Sequence, residues 1–241
     1  MSWPSAVFAQ DSKDESDSGS QWSLGIGASS AQKVYRDIKR DNIVLPLATY
    51  EDKWVSASVP KVDIKLYSTD SMSFRLRARY SGDGYKGGDS PFLAGMDKRK
   101  SSAWIGGAFI WKNDIANVSA ELLGDAMGNS KGSRASIEID HRFGFGSFGL
   151  TPRLGAEWYD RKFVDYYYGV KASEATASRG AYLGNSTTAM VAGLRLDYSP
   201  SRHHMMFVDF GATQFGSAIK DSPIVEKATQ TSVSLGYLYR F

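Results

Sequence analysis

Along most of this chain, hydrophobic and polar residues alternate one for one. In 72–82, Met72, Phe74, Leu76, Ala78 and Tyr80 share one side, while Ser73, Arg75, Arg77, Arg79 and Ser81 share the other. In 133–143, Ala135, Ile137, Ile139 and Phe143 oppose Arg134, Ser136, Glu138, Asp140 and Arg142. The same pattern runs through 148–160 and 189–199, and the last residues, "TSVSLGYLYRF", set Val233, Leu235, Tyr237, Tyr239 and Phe241 against Ser232, Ser234, Gly236, Leu238 and Arg240. Weaker versions occur at 22–31, 54–67, 101–111, 116–126 and 203–215. A period of two over such lengths is the strand signature, and its repetition predicts an all-β protein.

Alternation alone does not separate a soluble barrel from a membrane barrel, whose apolar sides face lipid and whose polar sides fill the lumen. Three further features favour the membrane barrel. The candidate turns at 68–71, 112–117, 144–147 and 199–202 are short, whereas the connections at 83–100, 161–185 and 216–228 are long. Short periplasmic turns and long outer loops are the outer-membrane pattern. Aromatics crowd the strand ends, at Trp22, Trp54, Tyr80, Trp111, Phe143, Phe148, Trp158 and Tyr198, where interface girdles sit. The final strand has no tail and ends on Phe, so Tyr237, Tyr239 and Phe241 form the expected signal for the barrel-assembly machinery. The fold class is therefore a closed antiparallel transmembrane β-barrel over 22–241. Eight strands from 72 to 240, with 54–67 and 22–31, make about ten. The segment "NIVLPLATYED" (42–52) reads as part of the first long loop, or as a further strand whose partner is hidden, which would make twelve.

Composition narrows the picture further. Mean hydropathy is −0.34, and no stretch approaches the roughly 18 apolar residues of a membrane-spanning helix. The chain contains no cysteine, which excludes a disulfide framework. Lys and Arg number 29 against 26 Asp and Glu, with no concentrated basic block, so nucleic acid is not an expected partner. The first residues, "MSWPSAVFAQDSKDESDSGSQ", lack the basic start and apolar run of a whole signal peptide. They read as a residual signal followed by a disordered acidic tail, residues 1–21 in all, or simply as a disordered tail.

The polar sides carry charge of both signs. Arg75, Arg77, Arg79, Arg134, Arg153 and Arg195 face inward with Glu121, Glu138, Glu157 and Asp197, and Arg142, Arg240, Asp125, Asp140 and Asp209 join them. In a narrow barrel such density is best satisfied by cross-strand ion pairs that plug the lumen. A small anion-selective pore lined by an arginine ladder is the alternative. Catalysis is not expected. His203 and His204 fall at a periplasmic turn, His141 falls on the lipid side, and neither arrangement offers a Ser/His pair or a metal cluster. No cofactor is expected.

The outer connections hold the least generic text: "GMDKRKSSAWIGG" (95–107), "LLGDAMGNSKG" (122–132), "VDYYYGVKASEATAS" (164–178) and "KDSPIVEKA" (220–228), then "GYLYRF". With "PLATYEDKW" (46–54), these resemble the MipA/OmpV family from about Trp22 to Phe241. The resemblance implies a non-enzymatic outer-membrane barrel of a Gram-negative cell envelope, acting as a scaffold that joins a lytic transglycosylase to a murein synthase. Porin-like and adhesin members of the family keep a small channel and a surface adhesin as alternatives. Expected partners are outer-membrane lipid, lipopolysaccharide and the barrel-assembly machinery. Within the motifs, Gly169 is expected to permit a turn conformation, Tyr166–Tyr168 to pack over the lumen mouth, and "DSP" (221–223) to form an Asp-initiated turn.

Overall fold

The computed structural model of the protein describes residues 20–38 and 40–241. The signal and tail expectation for residues 1–21 lies outside the described residues, except that Gln21 already opens the first strand. Thirteen strand segments form one antiparallel sheet that closes on itself. In chain order they are β1 (Gln21–Gln32), β2 (Arg40–Glu51), β3 (Val55–Ser58), β4 (Lys61–Ser68), β5 (Met72–Ser81), β6 (Ser102–Lys112), β7 (Asn117–Asp125), β8 (Ser133–Asp140), β9 (Phe143–Phe145), β10 (Phe148–Tyr159), β11 (Thr187–Tyr198), β12 (His204–Phe215) and β13 (Thr229–Arg240). Closure comes from β13 pairing with β1, Leu235 opposite Ala28, so the last strand seals the first and removes both sheet edges.

β8 and β9 pair end to end with one strand, β10, through Asp140↔Arg153 and Phe143↔Leu150. They are one stave interrupted at His141–Arg142, and the barrel has twelve staves. Twelve rather than ten follows from two segments. Residues 42–52 are not loop but most of β2, paired with β1 from end to end. The single strand read at 54–67 is a hairpin, β3 and β4, that turns at Val59–Pro60. Across this turn the inward phase slips from Ser56 and Ser58 to Lys61 and Asp63, which are their register partners.

The alternation sorts the side chains as lipid and lumen require. Outward residues such as Ile26, Leu76, Ile137, Leu154, Met190 and Leu235 are exposed. Inward Asp63, Arg77, Arg134, Arg153 and Asp209 are buried. Trp22, Trp54, Tyr80, Trp111, Phe143, Phe148, Trp158 and Tyr198 all lie exposed on the outer surface, close to strand ends. No described helix is long and apolar enough to cross a membrane.

One part of the wall is incomplete. β3 pairs with β2 only at Thr49–Glu51, and a bond from the Val59 N–H to the Ala48 carbonyl closes the hairpin top. Above that level β2 has β1 on one side and no described strand on the other. Backbone direction alternates along a strand, so Asn42, Val44 and Pro46 turn their backbone groups the same way as Ala48, toward the open side. The result is a notch in the half of the wall nearest the long loops.

The long loops do not splay. Residues 160–186 contain α1 (Arg161–Tyr168), capped by the Asp160 carboxylate on the Phe163 N–H, and 216–228 contain α2 (Ser217–Lys220). Phe163, Val164, Tyr167 and Tyr168 recur at one- and four-residue spacings on one helix face, and all four are buried. They pack with Tyr35, Tyr85, Leu93, Trp104, Ile219 and Ile224 into one apolar cluster that roofs the barrel. Gly169 has φ −73°, so it is not there for a left-handed turn. A Cβ at Gly169 would meet the Asp165 carbonyl oxygen at 2.2 Å, so the requirement is close approach at the helix end.

Candidate functional site

The lumen is filled by ion pairs that bridge strands. Arg77 on β5 donates to both oxygens of Asp63 on β4 at 2.8 and 2.7 Å, and its third nitrogen reaches Glu121 on β7 at 2.9 Å. Arg75 adds a longer contact to Asp63 at 3.4 Å, and Arg79 pairs with Glu121 at 3.0 Å. Asp63 is completely buried, which only such pairing makes tolerable. Higher in the barrel, Arg134 bonds Glu157 at 2.9 Å and lies 3.7 Å from Asp83, with its guanidinium near the rings of Trp104, Tyr159 and Phe163. Arg153 on β10 clasps Asp209 on β12 through two bonds of 2.8 and 2.7 Å. β11 lies between them, and its register residue is Gly193, where a Cβ would come within 2.4 Å of the Arg153 guanidinium. Glycine at that position lets the arginine reach across a strand.

Of the residues the alternation turned inward, Arg75, Arg77, Arg79 and Glu121 form one cluster, Arg134 and Glu157 a second, and Arg153 a third with Asp209. Asp197 pairs with Arg142 at 2.7 Å, and Arg195 stacks its guanidinium 4.0 Å above the Phe207 ring. Glu138 joins none of these pairs. Its Oε1 has no hydrogen-bond partner, and it borders a small cavity with Arg77, Glu121 and Glu157 that has room for about one water molecule. Sequence reasoning missed Asp63 as the hub. The signal was there, in the phase slip at Val59–Pro60.

A different lining covers the wall near the notch. Inward residues of β2 are Ile43, Leu45, Leu47 and Thr49, opposite Ser29, Gly27, Gly25 and Ser23 of β1. Leu47 packs against an apolar cluster of Met205, Phe207 and Leu238. The interior is thus charged on most of its circumference and apolar beside the open edge.

Above the lumen the roof is pinned by buried charge. Glu174 takes the Arg99 guanidinium at 2.7 Å and the N–H groups of Asp97 and Lys171 at 2.9 and 3.0 Å. Burial opposes the charged carboxylate, but Arg99 and the two N–H groups outweigh it and hold Glu174 at about 2. Arg179 donates to the carbonyls of Phe92, Ala94 and Glu174, binding the 82–101 and 160–186 segments together. Ser222, not Asp221, ties the "DSP" turn down, with its hydroxyl on the Tyr168 carbonyl at 2.6 Å. Tyr167 and Tyr168 lie inside the roof, and Tyr166 accepts the Lys100 N–H at its edge.

The opposite rim is made of short turns. Asn113 Oδ1 accepts the N–H groups of Ile115 and Ala116 at 2.9 and 3.0 Å, fixing a turn whose tip, Ile115, is 85% exposed. Phe241 stacks on Trp22 at 3.7 Å, Tyr239 meets Phe241 edge-on, and Tyr237 shares a hydrogen bond with His204. His203 contacts the Arg240 carbonyl and His141 lies against Phe143. No group of three potential metal ligands occurs among the described residues.

Sequence comparisons place the chain among outer-membrane proteins. The family model described as MltA-interacting protein MipA matches residues 24–241. The chain is 26% identical over 225 residues to the putative outer membrane protein YiaT of Escherichia coli, covering 92% of each. It is 27% identical to the outer membrane protein OmpV of Vibrio cholerae, covering 92% of this chain and 87% of that one. It is 26% identical to the MltA-interacting protein of Escherichia coli, covering 92% and 90%. Among solved structures, an outer membrane channel from Pseudomonas putida aligns over 92% of this chain and 95% of its own, with a TM-score of 0.43 and 11% identity. The chain belongs to the MipA/OmpV family, the MltA-interacting proteins, and is a twelve-stave outer-membrane β-barrel.

Proposed function

We propose that this protein is a non-enzymatic, non-conducting barrel that serves as a docking platform for murein-remodelling enzymes at the periplasmic face of the outer membrane. The observation that carries this reading is the filled lumen. Buried cross-strand ion pairs occupy the interior, and a packed aromatic roof covers its outer end. Ion pairs and a roof of this kind among the described residues favour a role carried by the surfaces over one carried by a channel. The partner class, a lytic transglycosylase with an associated murein synthase, is supported by the name of the Escherichia coli relative, MltA-interacting protein. On the periplasmic rim, Ile115 stands almost fully exposed on a turn held by Asn113, the geometry of an anchor residue awaiting a partner pocket.

The test is retention of the cognate lytic transglycosylase on the immobilised, detergent-solubilised barrel. Ile115→Asp is expected to weaken retention about tenfold or more while the barrel remains folded by its heat-modifiable mobility. A wild-type barrel that retains neither transglycosylase nor synthase would overturn the reading.

A further inference from the structure

The notch beside β2 joins three features that the docking reading leaves unused. The first is the edge itself. Asn42, Val44 and Pro46 present backbone groups that no described residue satisfies, within the half of the wall that spans the outer leaflet. Unpaired backbone facing hydrocarbon is costly and is tolerated where it lines a protein or polar cavity. The second is the lining just inside it. Ile43, Leu45 and Leu47 form an apolar strip about 13 Å long, continued at its Leu47 end by Met205, Phe207 and Leu238, at odds with the charged interior elsewhere. The third is Lys61. It faces inward on the register row Thr49–Ser58–Lys61, two strands from β2 and therefore about 10 Å away, at the floor of the notch. Asp63 and Glu121 attract Lys61 through space but make no direct ion pair with it, because Arg77 and Arg75 hold Asp63 and Arg77 and Arg79 hold Glu121.

An apolar strip ending near a cation that makes no direct ion pair is the complement of one chain with one anionic head. We infer that the notch is a lateral binding site for a single-chain carboxylate amphiphile, a fatty acid, which enters from the outer leaflet. Its chain lies along Ile43, Leu45 and Leu47, and its carboxylate meets Lys61. A β-strand from another chain fits less well. Pro46 supplies no N–H where a pairing strand needs one, which is how exposed edges are kept from pairing. A strand would also leave Lys61 without a direct ion-pair partner. The inference is independent of the docking proposal, because it concerns the lipid-facing wall and not the periplasmic rim.

Side-chain parity supplies the test. The barrel, reconstituted in phosphatidylcholine vesicles, is photolabelled with a diazirine-tagged palmitate, and adducts are mapped by mass spectrometry. Annular lipid labels outward Val44, Leu24 and Ile26, whereas a bound chain labels inward Ile43, Leu45 and Leu47. Inward adducts that saturate with probe are expected, reduced about tenfold by Lys61→Met and to a similar degree when the probe is the methyl ester. The ester arm uses the wild-type barrel, so it stands even if the variant misfolds. Adducts confined to the outward residues would overturn the site. Equal inward labelling by the ester, or by a diazirine phosphatidylcholine, would overturn the carboxylate class. A crosslinked dimer joined through β2 would overturn the choice of lipid over strand.

Discussion

Arg77 holds more of the lumen together than any neighbouring arginine, because its five donors are divided between a fully buried Asp63 and Glu121. Removing it strands a buried carboxylate. Arg77→Met is therefore expected to cost about 3–5 kcal/mol in urea unfolding, and the double variant Arg77→Met/Asp63→Leu to recover a large part of that loss. A single variant as stable as wild type would contradict the assignment. Glu174 provides a second residue-level prediction. Its carboxyl sits at about 2 in the folded protein against about 4.3 unfolded, so its stabilisation of the roof is complete above the unfolded value and is lost as pH falls through about 2. Pepsin cleavage within 160–186 should accelerate steeply as pH drops from about 4 toward 2. Glu174→Gln should be cleaved readily across that whole range. At this scale, facing direction was legible in the sequence and pairing was not. Alternation says that Arg153 points inward, but only the fold shows that Gly193 lets it pass over β11 to Asp209.

At the scale of elements, strands that separate lipid from a charged lumen announce themselves. β5, β8 and β10 alternate because their two faces meet opposite solvents. β2 does not, since its inward Ile43, Leu45 and Leu47 line an apolar wall while its outward Val44, Pro46 and Tyr50 meet lipid or the interface. Apolar on both faces and interrupted by proline, it reads as a loop. The β3–β4 hairpin was hidden for another reason: its turn shifts the alternation by one residue and leaves the overall texture unchanged. α1 was concealed by the strand that runs into it, although Asp160 and the spacing of Phe163, Val164, Tyr167 and Tyr168 mark a capped amphipathic helix. The one-sided pairing of β2 has a direct signature in amide exchange. The N–H groups of Ile43, Leu45 and Leu47 bond to β1 and should exchange slowly, whereas those of Asn42 and Val44 face the notch and should exchange at least tenfold faster by NMR in micelles. Uniform protection along β2 would mean that the wall is complete.

Across the whole molecule, lumen, roof and rim divide the work. Ion pairs fill the interior, aromatic packing and the Glu174–Arg99 pair fasten the outer loops over it, and the periplasmic turns stay short and firm. Sequence alone supported both a plugged lumen and a small arginine-lined pore. The difference lies in whether the arginines find carboxylates, which depends on registers that no periodicity encodes. The proposed docking role entails a barrel that carries no solute current. Planar-bilayer recording of the purified, folded protein tests it most directly. A flat baseline is expected, with conductance steps emerging only when the lumen pairs and the roof are removed together. Stable, reproducible opening of the intact barrel at neutral pH would contradict it.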